Sequence, residues 1–271
     1  MRARPPHPAP LPTPPSQERY VIPNLRNASR ILKLLGSTAD GFKAADIGRR
    51  LGIPVTTTLR IMTTLHLEGL VRKNGALFEL GPVLIQLGNA SLAGTEIRTA
   101  ALPVLERLTA QTDETSHLAI PCEDRSLVVA VQDSPHPLRA ASRPGFLAEL
   151  HCSSTGKTFL AFLHQQRLAE FYTGVRLPKR TAHTLTTLSE IRRECDLTRK
   201  RGFSLDDEEF NLGVRCLAAP VHGSDGTVVA AIGITAATVR FTKERIPEMA
   251  AAVIGAATEL SRLLGFTANH R

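Results

Sequence analysis

The sequence predicts a protein of two domains, the first mostly α-helical and the second an α+β fold. Its 271 residues, 42% of them apolar, are enough for two separate cores. The first third places glycine and proline turn signals between short amphipathic segments, and the remainder alternates helix-like and strand-like segments. Together these observations exclude a fibrous chain, a disulfide-stabilised miniprotein and a chain that is disordered throughout.

Positive charge is concentrated before position 97. The whole chain has a formal net charge of +8. Residues 1–96 contain 12 Lys and Arg against 6 Asp and Glu, whereas residues 97–271 contain 21 against 19. This excess favours a polyanionic partner for the first domain. The absence of tryptophan and the presence of only two tyrosines argue against the aromatic stacking surfaces of single-strand binders.

Cysteines, apolar runs and the N-terminus exclude further classes. The cysteines form neither a Cys-x-x-Cys pair nor a cluster at metal-ligand spacing, so we expect no metal, no cofactor and no disulfide framework: Cys122, Cys152, Cys195 and Cys216. The apolar stretch at residues 228–239 is too short to span a membrane. Seven prolines precede position 16, so residues 1–17 predict a disordered Pro-rich tail and not a secretory signal. We therefore expect a soluble cytoplasmic protein with no membrane partner.

Two short helices open the N-terminal domain. Apolar residues at helical spacing place the first helix around residues 28–35, and Gly36 ends it. A second helix is predicted from about Lys43 to Leu51, followed by Gly52-Ile53-Pro54. Glycine after one helix and proline at the start of the next predict a tight helix-turn-helix connection.

The third predicted helix, about Val55 to Glu68, is the candidate surface for reading DNA bases. Helical spacing places one apolar stripe inward: Val55, Leu59, Met62 and Leu65. The opposite face is polar and begins at a helix N-terminus, which favours a phosphate group. Threonine hydroxyls and methyls can meet base edges, and an arginine can reach phosphate or guanine. The predicted DNA contacts on this helix are Thr56, Thr57, Thr58, Arg60 and Thr64.

A β-hairpin is predicted next. Residues 70–80 form two short apolar-bearing runs around Asn74-Gly75, a strong two-residue turn signal. Arg72 and Lys73 would meet backbone phosphates from this wing, and Lys43 is a further predicted DNA contact. A threonine-rich helix face alone is common on solvated surfaces. Helix, turn, helix and wing in the most basic third of the chain are a more specific indication of duplex DNA binding.

The C-terminal part predicts an antiparallel sheet with helices packed on it. A short helix to about Leu92 leads into it, and a further apolar helical stripe lies around residues 101–108. Strands are predicted at residues 115–120, 126–131, 213–221 and 227–235. An amphipathic helix closes the chain, with inward positions at Met249, Val253, Ala257 and Leu260. This arrangement is an α+β sandwich.

One segment of the C-terminal part suits a site for a small anion. Residues 153–156 lead into a helix, so N–H groups and hydroxyls converge at its positive end and could hold a carboxylate without a buried lysine. The acidic run at residues 206–209 could bind a divalent cation, although a solvated acidic turn is the favoured interpretation.

The cysteines of this part do not predict nucleophilic chemistry. Cys216 is interpreted as a small core residue and not a nucleophile. His151 and Cys152 are adjacent, so on an extended strand they point to opposite faces and cannot pair.

Several runs of the sequence resemble the IclR family of bacterial transcriptional regulators. The resemblance to its winged helix-turn-helix is carried by residues 27–32, 45–54, 65–71 and 78–81. In the second half, residues 150–157 (LHCSSTGK) and 202–221 (GFSLDDEEFNLGVRCLAAPV) resemble the family's effector-binding domain, which has a GAF-like fold. The resemblance extends over about residues 20–266. It differs in the third helix, where Leu59 stands at a position that often carries His or Tyr in the family.

The resemblance implies a mostly α winged helix-turn-helix domain joined by a linker helix to an α+β GAF-like effector-binding domain. The implied boundaries are a disordered tail at 1–17, the winged helix-turn-helix at 18–81, the linker helix at 82–96, the effector-binding domain at 97–266 and a tail at 267–271. By position, the implied effector contacts are Ala140, Ser154, Thr155, Asp206, Val214, Cys216, Gly233 and Thr235. Family pockets often carry serine at the last two positions, so Gly233 predicts a larger or less polar effector.

The resemblance also implies a function. We expect a ligand-responsive transcriptional regulator, a repressor or a dual regulator and not an enzyme, that binds a palindromic double-stranded DNA operator. It would sense a small organic acid and act as a homodimer or homotetramer. Two alternatives remain: an enzyme or metabolite-binding protein with a DNA-binding appendage, whose chemistry would lie near Asp206 and Cys216, and a nucleoid-type structural DNA binder. Catalytic turnover that is lost when Cys216 is alkylated would favour the enzyme. DNA binding with little sequence preference would favour the structural DNA binder.

Overall fold

The computed structural model describes residues 21–38, 40–93 and 96–267. These residues form two compact units, divided between Gly94 and Thr95. The Pro-rich tail predicted at residues 1–17 lies outside the described residues, as do residues 268–271 of the predicted C-terminal tail. Within the described residues, no helix combines the length and the apolar character that a membrane span requires.

The first unit contains the predicted three helices and hairpin. Its elements are α1 (Pro23–Leu35), α2 (Ala44–Leu51), α3 (Val55–Leu67), β1 (Val71–Asn74) and β2 (Leu77–Leu80), followed by α4 (Val83–Ala93) in the segment predicted as a linker helix. Apolar side chains from all three helices, the turn and β1 form its core: Ile31, Leu35, Ile47, Ile53, Ile61, Met62, Leu65 and Val71. The helix and hairpin predictions are confirmed.

Two glycines shape the turn between α2 and α3. Gly52 ends α2 in the left-handed conformation, with φ of 67°, and its N–H bonds to the carbonyl of Gly48. A Cβ atom on Gly48 would lie 2.8 Å from the Ile53 carbonyl oxygen, so only glycine permits this close approach. Arg30 of α1 donates from Nη2 to the Leu51 carbonyl at 2.8 Å and thereby satisfies an acceptor at the end of α2.

The hairpin is anchored to the segment before α2. Its strands pair from Val71↔Leu80 to Asn74↔Leu77, and Gly75 turns with φ of 59°. The Phe42 N–H donates to the Phe78 carbonyl at 3.0 Å, and the Phe78 N–H donates to the Phe42 carbonyl at 2.8 Å. This bridge fixes the wing relative to the start of α2.

The inward face of α3 differs from the predicted stripe. Val55 and Leu59 are 48% and 46% exposed, and the buried residues are Thr58, Ile61, Met62 and Leu65. The prediction that Val55 and Leu59 face the core was therefore wrong. The physical reason is the close packing of α2 and α3 at the turn, where the small side chain of Thr58 lies against Gly48 of α2. Threonine can be buried there because its Oγ1 donates to the Pro54 carbonyl at 3.1 Å.

The second unit has a six-stranded antiparallel sheet with helices on both faces, which confirms the α+β class. The strand order is β5-β4-β3-β8-β7-β6, in the numbering that follows. In chain order its elements are α5 (Glu96–Thr112), β3 (Thr115–Cys122), β4 (Arg125–Gln132), β5 (Leu147–Glu149), α6 (Ser154–Phe162), α7 (Leu168–Tyr172), α8 (Leu188–Arg201), β6 (Ser204–Asp207), β7 (Val214–His222), β8 (Val228–Ala237) and α9 (Ile246–Leu263).

Helices α5 and α9 cover one face of this sheet. Ser116 of β3 donates from its hydroxyl to the Leu105 carbonyl of α5 at 2.9 Å. Ser261 of α9 accepts the backbone N–H of His222 at 2.9 Å. The predicted inward stripe of the closing helix is confirmed, because all of its members are buried: Met249, Val253, Ala257 and Leu260.

Helices α6 and α8 lie on the opposite face. Phe159 and Leu160 of α6 share a buried cluster with Ala119 and Ala218 of the sheet, and Cys195 of α8 belongs to the same cluster. Small residues on the strands allow the helix backbone to approach the sheet closely. Because side chains alternate along a strand, Cys216 lies on the same face of β7 as Ala218.

Candidate DNA-binding surface and effector site

The outer side of α3 is the first candidate site. Over its first three turns it exposes Val55, Thr56, Leu59, Arg60, Thr63 and Thr64. The helix begins after Pro54 with no side-chain cap and no acidic residue in its first turn, so its N–H groups favour a phosphate. Within the described residues, no ion pair holds the Arg60 guanidinium. This surface can approach the major groove of a duplex.

Most of the predicted DNA contacts occupy exposed positions, with one correction. Exposed side chains are found at Lys43, Thr56, Arg60, Thr64, Arg72 and Lys73. Thr57 is half-buried. Thr58 is fully buried, so its prediction as a DNA contact was wrong. Thr63 was missed, although its spacing of seven residues from Thr56 places it on the same helix face.

Basic side chains on α2 are partly held by neighbours. Arg49 forms an ion pair with Asp46 within the helix. The Arg50 guanidinium lies 4.7 Å from the centroid of the Phe42 ring, in cation–π geometry. Both arginines are exposed, so they can still reach a phosphate backbone beside α3.

On the wing, Arg72 is paired with Glu79. The Arg72 Nε donates to Glu79 Oε2 at 2.8 Å, and Asn74 Nδ2 donates to Oε1 at 3.1 Å. These hydrogen bonds, that of Asn74 first, hold the pKa of the Glu79 carboxyl below its usual value. Arg72 must therefore leave or share this carboxylate to bind a phosphate, whereas Lys73 lies exposed beside it.

The second candidate site is a row of side chains across the sheet, on the face covered by α6. In register, Asp206 of β6 lies opposite Cys216 of β7, and Cys216 lies opposite Thr235 of β8. Thr235 in turn lies opposite Thr115 of β3. The Thr235 Oγ1 donates to Cys216 Sγ at 3.1 Å. Val214 stands two residues before Cys216, on the same face of β7.

The start of α6 brings further hydroxyls to this face. Ser153 caps the helix, because its Oγ accepts the Gly156 N–H at 3.2 Å. Ser154 and Thr155 are both buried, and Thr155 Oγ1 accepts a hydrogen bond from Ser126 at 2.7 Å. The structure thus brings seven of the implied effector positions to one face: Ser154, Thr155, Asp206, Val214, Cys216, Gly233 and Thr235. Ala140 lies apart, in the connection between β4 and β5.

A buried lysine, Lys157, stands beside this site. Lys157 Nζ contacts the Glu209 carboxylate and lies 3.5 Å from Glu194 Oε1. Burial opposes the charge, but Glu209, Glu194 and Asp206 outweigh it and raise the pKa of Lys157, so the ammonium group stays protonated. The signal available in the sequence was a lysine one turn before the apolar end of the helix, together with the acidic run.

The acidic run at residues 206–209 is partly buried. The interpretation of this run as a solvated turn was therefore wrong. Asp206 and Glu209 are both buried. Asp206 Oδ1 accepts the N–H groups of Glu209 at 2.8 Å and Phe210 at 3.2 Å. Burial raises the pKa of Asp206 to about 6 and that of Glu209 to about 7, against the charge of Lys157. Nowhere in the described part of the chain do three potential metal ligands cluster.

At Gly233 the backbone of the neighbouring strand lies close. A Cβ atom there would lie 2.2 Å from the Leu217 carbonyl oxygen, so the strands themselves occupy that volume. Its register partner His117 is 5% exposed, and His117 Nδ1 has no hydrogen-bond partner among the described residues. Burial lowers the pKa of His117 to about 4, so the imidazole is neutral at pH 7. Sequence reasoning missed this residue.

The thiols near the site are not arranged for nucleophilic chemistry. Burial raises the pKa of Cys216 well above its usual value, and that of Cys152 also rises. The ring nitrogen Nε2 of His151 lies 3.0 Å from the Pro178 carbonyl oxygen and does not pair with Cys152. Both thiols therefore stay protonated, and the partner that a thiolate nucleophile requires is not supplied by His151.

Two family models match this chain. The model described as the IclR helix-turn-helix domain matches residues 25–75. The model described as the C-terminal part of the bacterial transcriptional regulator IclR matches residues 89–262. The first match contains α1 to α3 and β1, and the second contains the six-stranded sheet with the row of side chains across it.

The chain is also similar to individual relatives. It is 28% identical over 248 residues to the transcriptional repressor IclR of Escherichia coli, covering 90% of each chain. It is 32% identical over 239 residues to the HTH-type transcriptional regulator BhcR of Paracoccus denitrificans, covering 88% of this chain and 85% of that one. The structure of an IclR homolog from Microbacterium hydrocarbonoxydans, solved with 4-hydroxybenzoate, has the same fold, with 23% identity, a TM-score of 0.75 and coverage of 89% and 98%. The chain belongs to the IclR family of DNA-binding bacterial transcriptional regulators, which are not enzymes.

Proposed function

We propose that this regulator represses transcription from a palindromic operator and that a small organic acid, bound in the second unit, changes its affinity for that operator. The observation that carries the proposal is the row of Asp206, Cys216 and Thr235 beside the N-terminus of α6. Two similar proteins support it: the E. coli relative is a repressor, and the Microbacterium homolog was solved with an aromatic carboxylate.

The proposed DNA contacts come from α2, α3 and the wing. The outer side of α3 enters the major groove, and Arg60 reaches a guanine or a phosphate there. Lys43, Arg72 and Lys73 neutralise backbone phosphates. As a homodimer or a homotetramer, the protein would place two α3 helices on half-sites one helical turn, or a multiple of it, apart.

The proposed effector contacts come from α6 and the sheet. The carboxylate of the ligand would lie at the positive end of α6, against Ser154 and Thr155. Lys157 is already paired with Glu209, so hydroxyl and N–H groups carry the recognition of this carboxylate. Val214, Cys216 and Thr235 would line the remainder of the ligand, with Ala140 approaching from the connection between β4 and β5.

The proposed domain boundaries separate the residues that bind DNA from those that bind the effector. The winged helix-turn-helix is assigned to residues 18–81, the linker helix to 82–96 and the effector-binding domain to 97–266. The separate cores of the two units support this assignment.

Selection of an operator followed by ligand titration tests the proposal. Full-length protein would be used to enrich binding sites from a randomised duplex library, and operator affinity would then be measured by fluorescence anisotropy with a panel of aromatic and short-chain carboxylates. We expect at least one acid to change the affinity about 5-fold to 150-fold. A panel without effect on a specific operator would overturn the effector half of the proposal.

Asp206→Asn provides the matched test of the site. The variant should keep operator affinity and lose the response to the acid, because Asp206 lies in the ligand row and outside the DNA-binding surface. Asp225→Asn is the control, since Asp225 lies in the turn between β7 and β8 and its hydrogen bonds among the described residues are to Thr227 of that turn. A full response in Asp206→Asn would remove this residue from the effector site.

A further inference from the structure

The outer side of α3 is unusually apolar for a surface that binds a polyanion. Val55 and Leu59 are 48% and 46% exposed, whereas Ile61 and Met62 of the same helix are 8% and 1% exposed. α3 contains no Asp or Glu, and Arg60 is its one charged residue. The hydroxyl of Thr64 is turned back to the Arg60 carbonyl at 3.0 Å, so fewer hydroxyls are directed outward.

The exposed aliphatic groups follow one ridge of the helix. Val55, Leu59 and Thr63 are spaced four residues apart, so their side chains stand about 6 Å apart along the helix axis. A parallel ridge of Thr56, Arg60 and Thr64 runs beside it. The outer side of α3 therefore presents a line of methyl groups next to a line that contains one long hydrogen-bond donor.

The surroundings of this ridge fit duplex DNA as the occupant. Exposed basic side chains lie at the start of α2, on α2 and on the wing: Lys43, Arg49, Arg50, Arg72 and Lys73. The N-terminus of α3 adds N–H groups without a side-chain cap. In a DNA groove, the phosphates lie on both sides of the base edges. The basic side chains around the ridge would face these phosphates, and the apolar ridge would face the bases. Thymine is the base that offers an apolar group, its C5 methyl, in the major groove.

We propose that Leu59, with Val55 beside it on the ridge, determines operator specificity by packing on thymine C5 methyl groups in the major groove. Arg60 supplies the hydrogen bonds from the charged side chain of α3, and Leu59 selects thymine by shape and desolvation. This inference rests on the proposed function, because it requires binding to a discrete operator sequence.

Replacing thymine by deoxyuridine tests this readout, because the change removes the methyl group and keeps every hydrogen-bonding edge of the base. Each thymine of the operator enriched with full-length protein would be replaced in turn, and the dissociation constants would be measured by fluorescence anisotropy. We expect one or two positions in each half-site to lose about fourfold in affinity, the factor for burying one methyl group. At those positions Leu59→Ala should bind the thymine and uracil duplexes equally well.

Leu67→Ala is the matched control. Leu67 is 79% exposed on the same helix, but it lies about 12 Å further along the axis, near the C-terminal end. It should keep the fourfold preference for thymine, and Leu59→Met, which retains an apolar side chain of similar size, should keep most of it. Since Leu59 is about half exposed and Leu67 mostly exposed, circular dichroism should show that all three variants are folded.

The possible outcomes separate this inference from the proposed function. A library that yields no common sequence would overturn the proposed function and this inference with it. An enriched operator that tolerates uracil at every position, or a Leu59→Ala protein that keeps the same sensitivity to methyl removal, would overturn the thymine readout alone. Loss of methyl sensitivity in Leu67→Ala but not in Leu59→Ala would move the readout to the other end of α3.

Discussion

Arg60 is the single charged side chain on the outer side of α3, and it has no ion pair within the described residues. We expect Arg60→Ala to weaken binding to the selected operator by roughly 1–3 kcal/mol, because a bidentate contact to guanine is lost. The measurement compares the operator with a scrambled duplex of the same length. An equal loss on both duplexes would show that Arg60 contacts phosphate and not a base.

A second residue-scale prediction concerns Glu79, which holds Arg72 on the wing. Glu79→Gln should strengthen binding to all duplexes and make the dependence on salt steeper, because the arginine becomes available to one more phosphate. The plot of log K against log salt concentration measures this, with an expected change in slope of about one unit. Glu68→Gln is the control, since it removes one exposed negative charge without releasing Arg72. Equal changes in both variants would contradict the prediction.

His117 predicts a pH dependence of stability. Its pKa is about 4 in the folded protein and about 6.5 when unfolded, so the unfolded state binds more protons between these values. Stability from this residue therefore falls as pH decreases through that interval. The parent should therefore lose unfolding free energy that His117→Phe retains. As the pH falls from 7 to 5.5, the difference between variant and parent should change in favour of the variant by on the order of 1 kcal/mol.

Urea unfolding of both proteins at several pH values measures this difference. Asp206 and Glu209 have raised pKa values, so they stabilise the folded protein as pH falls, and they do so in the parent and in the variant alike. Their effect cancels when the two unfolding free energies are subtracted. A difference that is constant across pH would show that His117 titrates normally in the folded state.

At the scale of elements, the contact between α2 and the following turn is the most constrained part of the first unit. Gly48→Ala should destabilise this unit by roughly 1–3 kcal/mol, because the new Cβ meets the Ile53 carbonyl and the backbone must move. Gly52→Ala should cost about 1 kcal/mol, since its left-handed conformation is strained for alanine although the space is open.

Thermal unfolding and operator affinity together measure these changes. Gly88→Ala in α4 is the control, because its position is exposed and unobstructed and alanine favours a helix there. We expect Gly48→Ala to lose operator affinity as well as stability, since it alters the angle at which α3 is held. Destabilisation by Gly88→Ala equal to that by Gly48→Ala would contradict the steric explanation.

The elements themselves could be predicted because their signals are local. Asn74-Gly75 was sufficient to predict the hairpin, and the apolar stripe that contains Met249 and Val253 was sufficient to predict α9. The rotation of α3 could not be predicted in the same way, because the burial of Thr58 depends on how closely α2 packs. Lys157 is a similar case: its partner Glu209 is 52 residues away in sequence, so only the tertiary fold brings the two charges together.

At the scale of the whole molecule, each unit has its own core, and we expect the two to respond separately to damage. Met62→Ala should lower the stability of the first unit by roughly 2–5 kcal/mol, since Met62 is 1% exposed there. Stabilisation by an effector acid should be unchanged, because its proposed contacts lie in the second unit. Differential scanning calorimetry with and without the acid checks this, and a single transition that moves as one would contradict it.

Strand β7 lies between two chemically different layers. Cys216 faces the polar row under α6, while its neighbour Arg215 is buried on the other side and donates to the Phe241 carbonyl and to Asp207. Leu217 belongs to that second side as well. Under the proposed function, alternate residues of this one strand would serve two purposes: those facing α6 would contact the ligand, and the intervening ones would hold the architecture. Exchanging only the first set should then change the ligand preference of the protein without changing its fold.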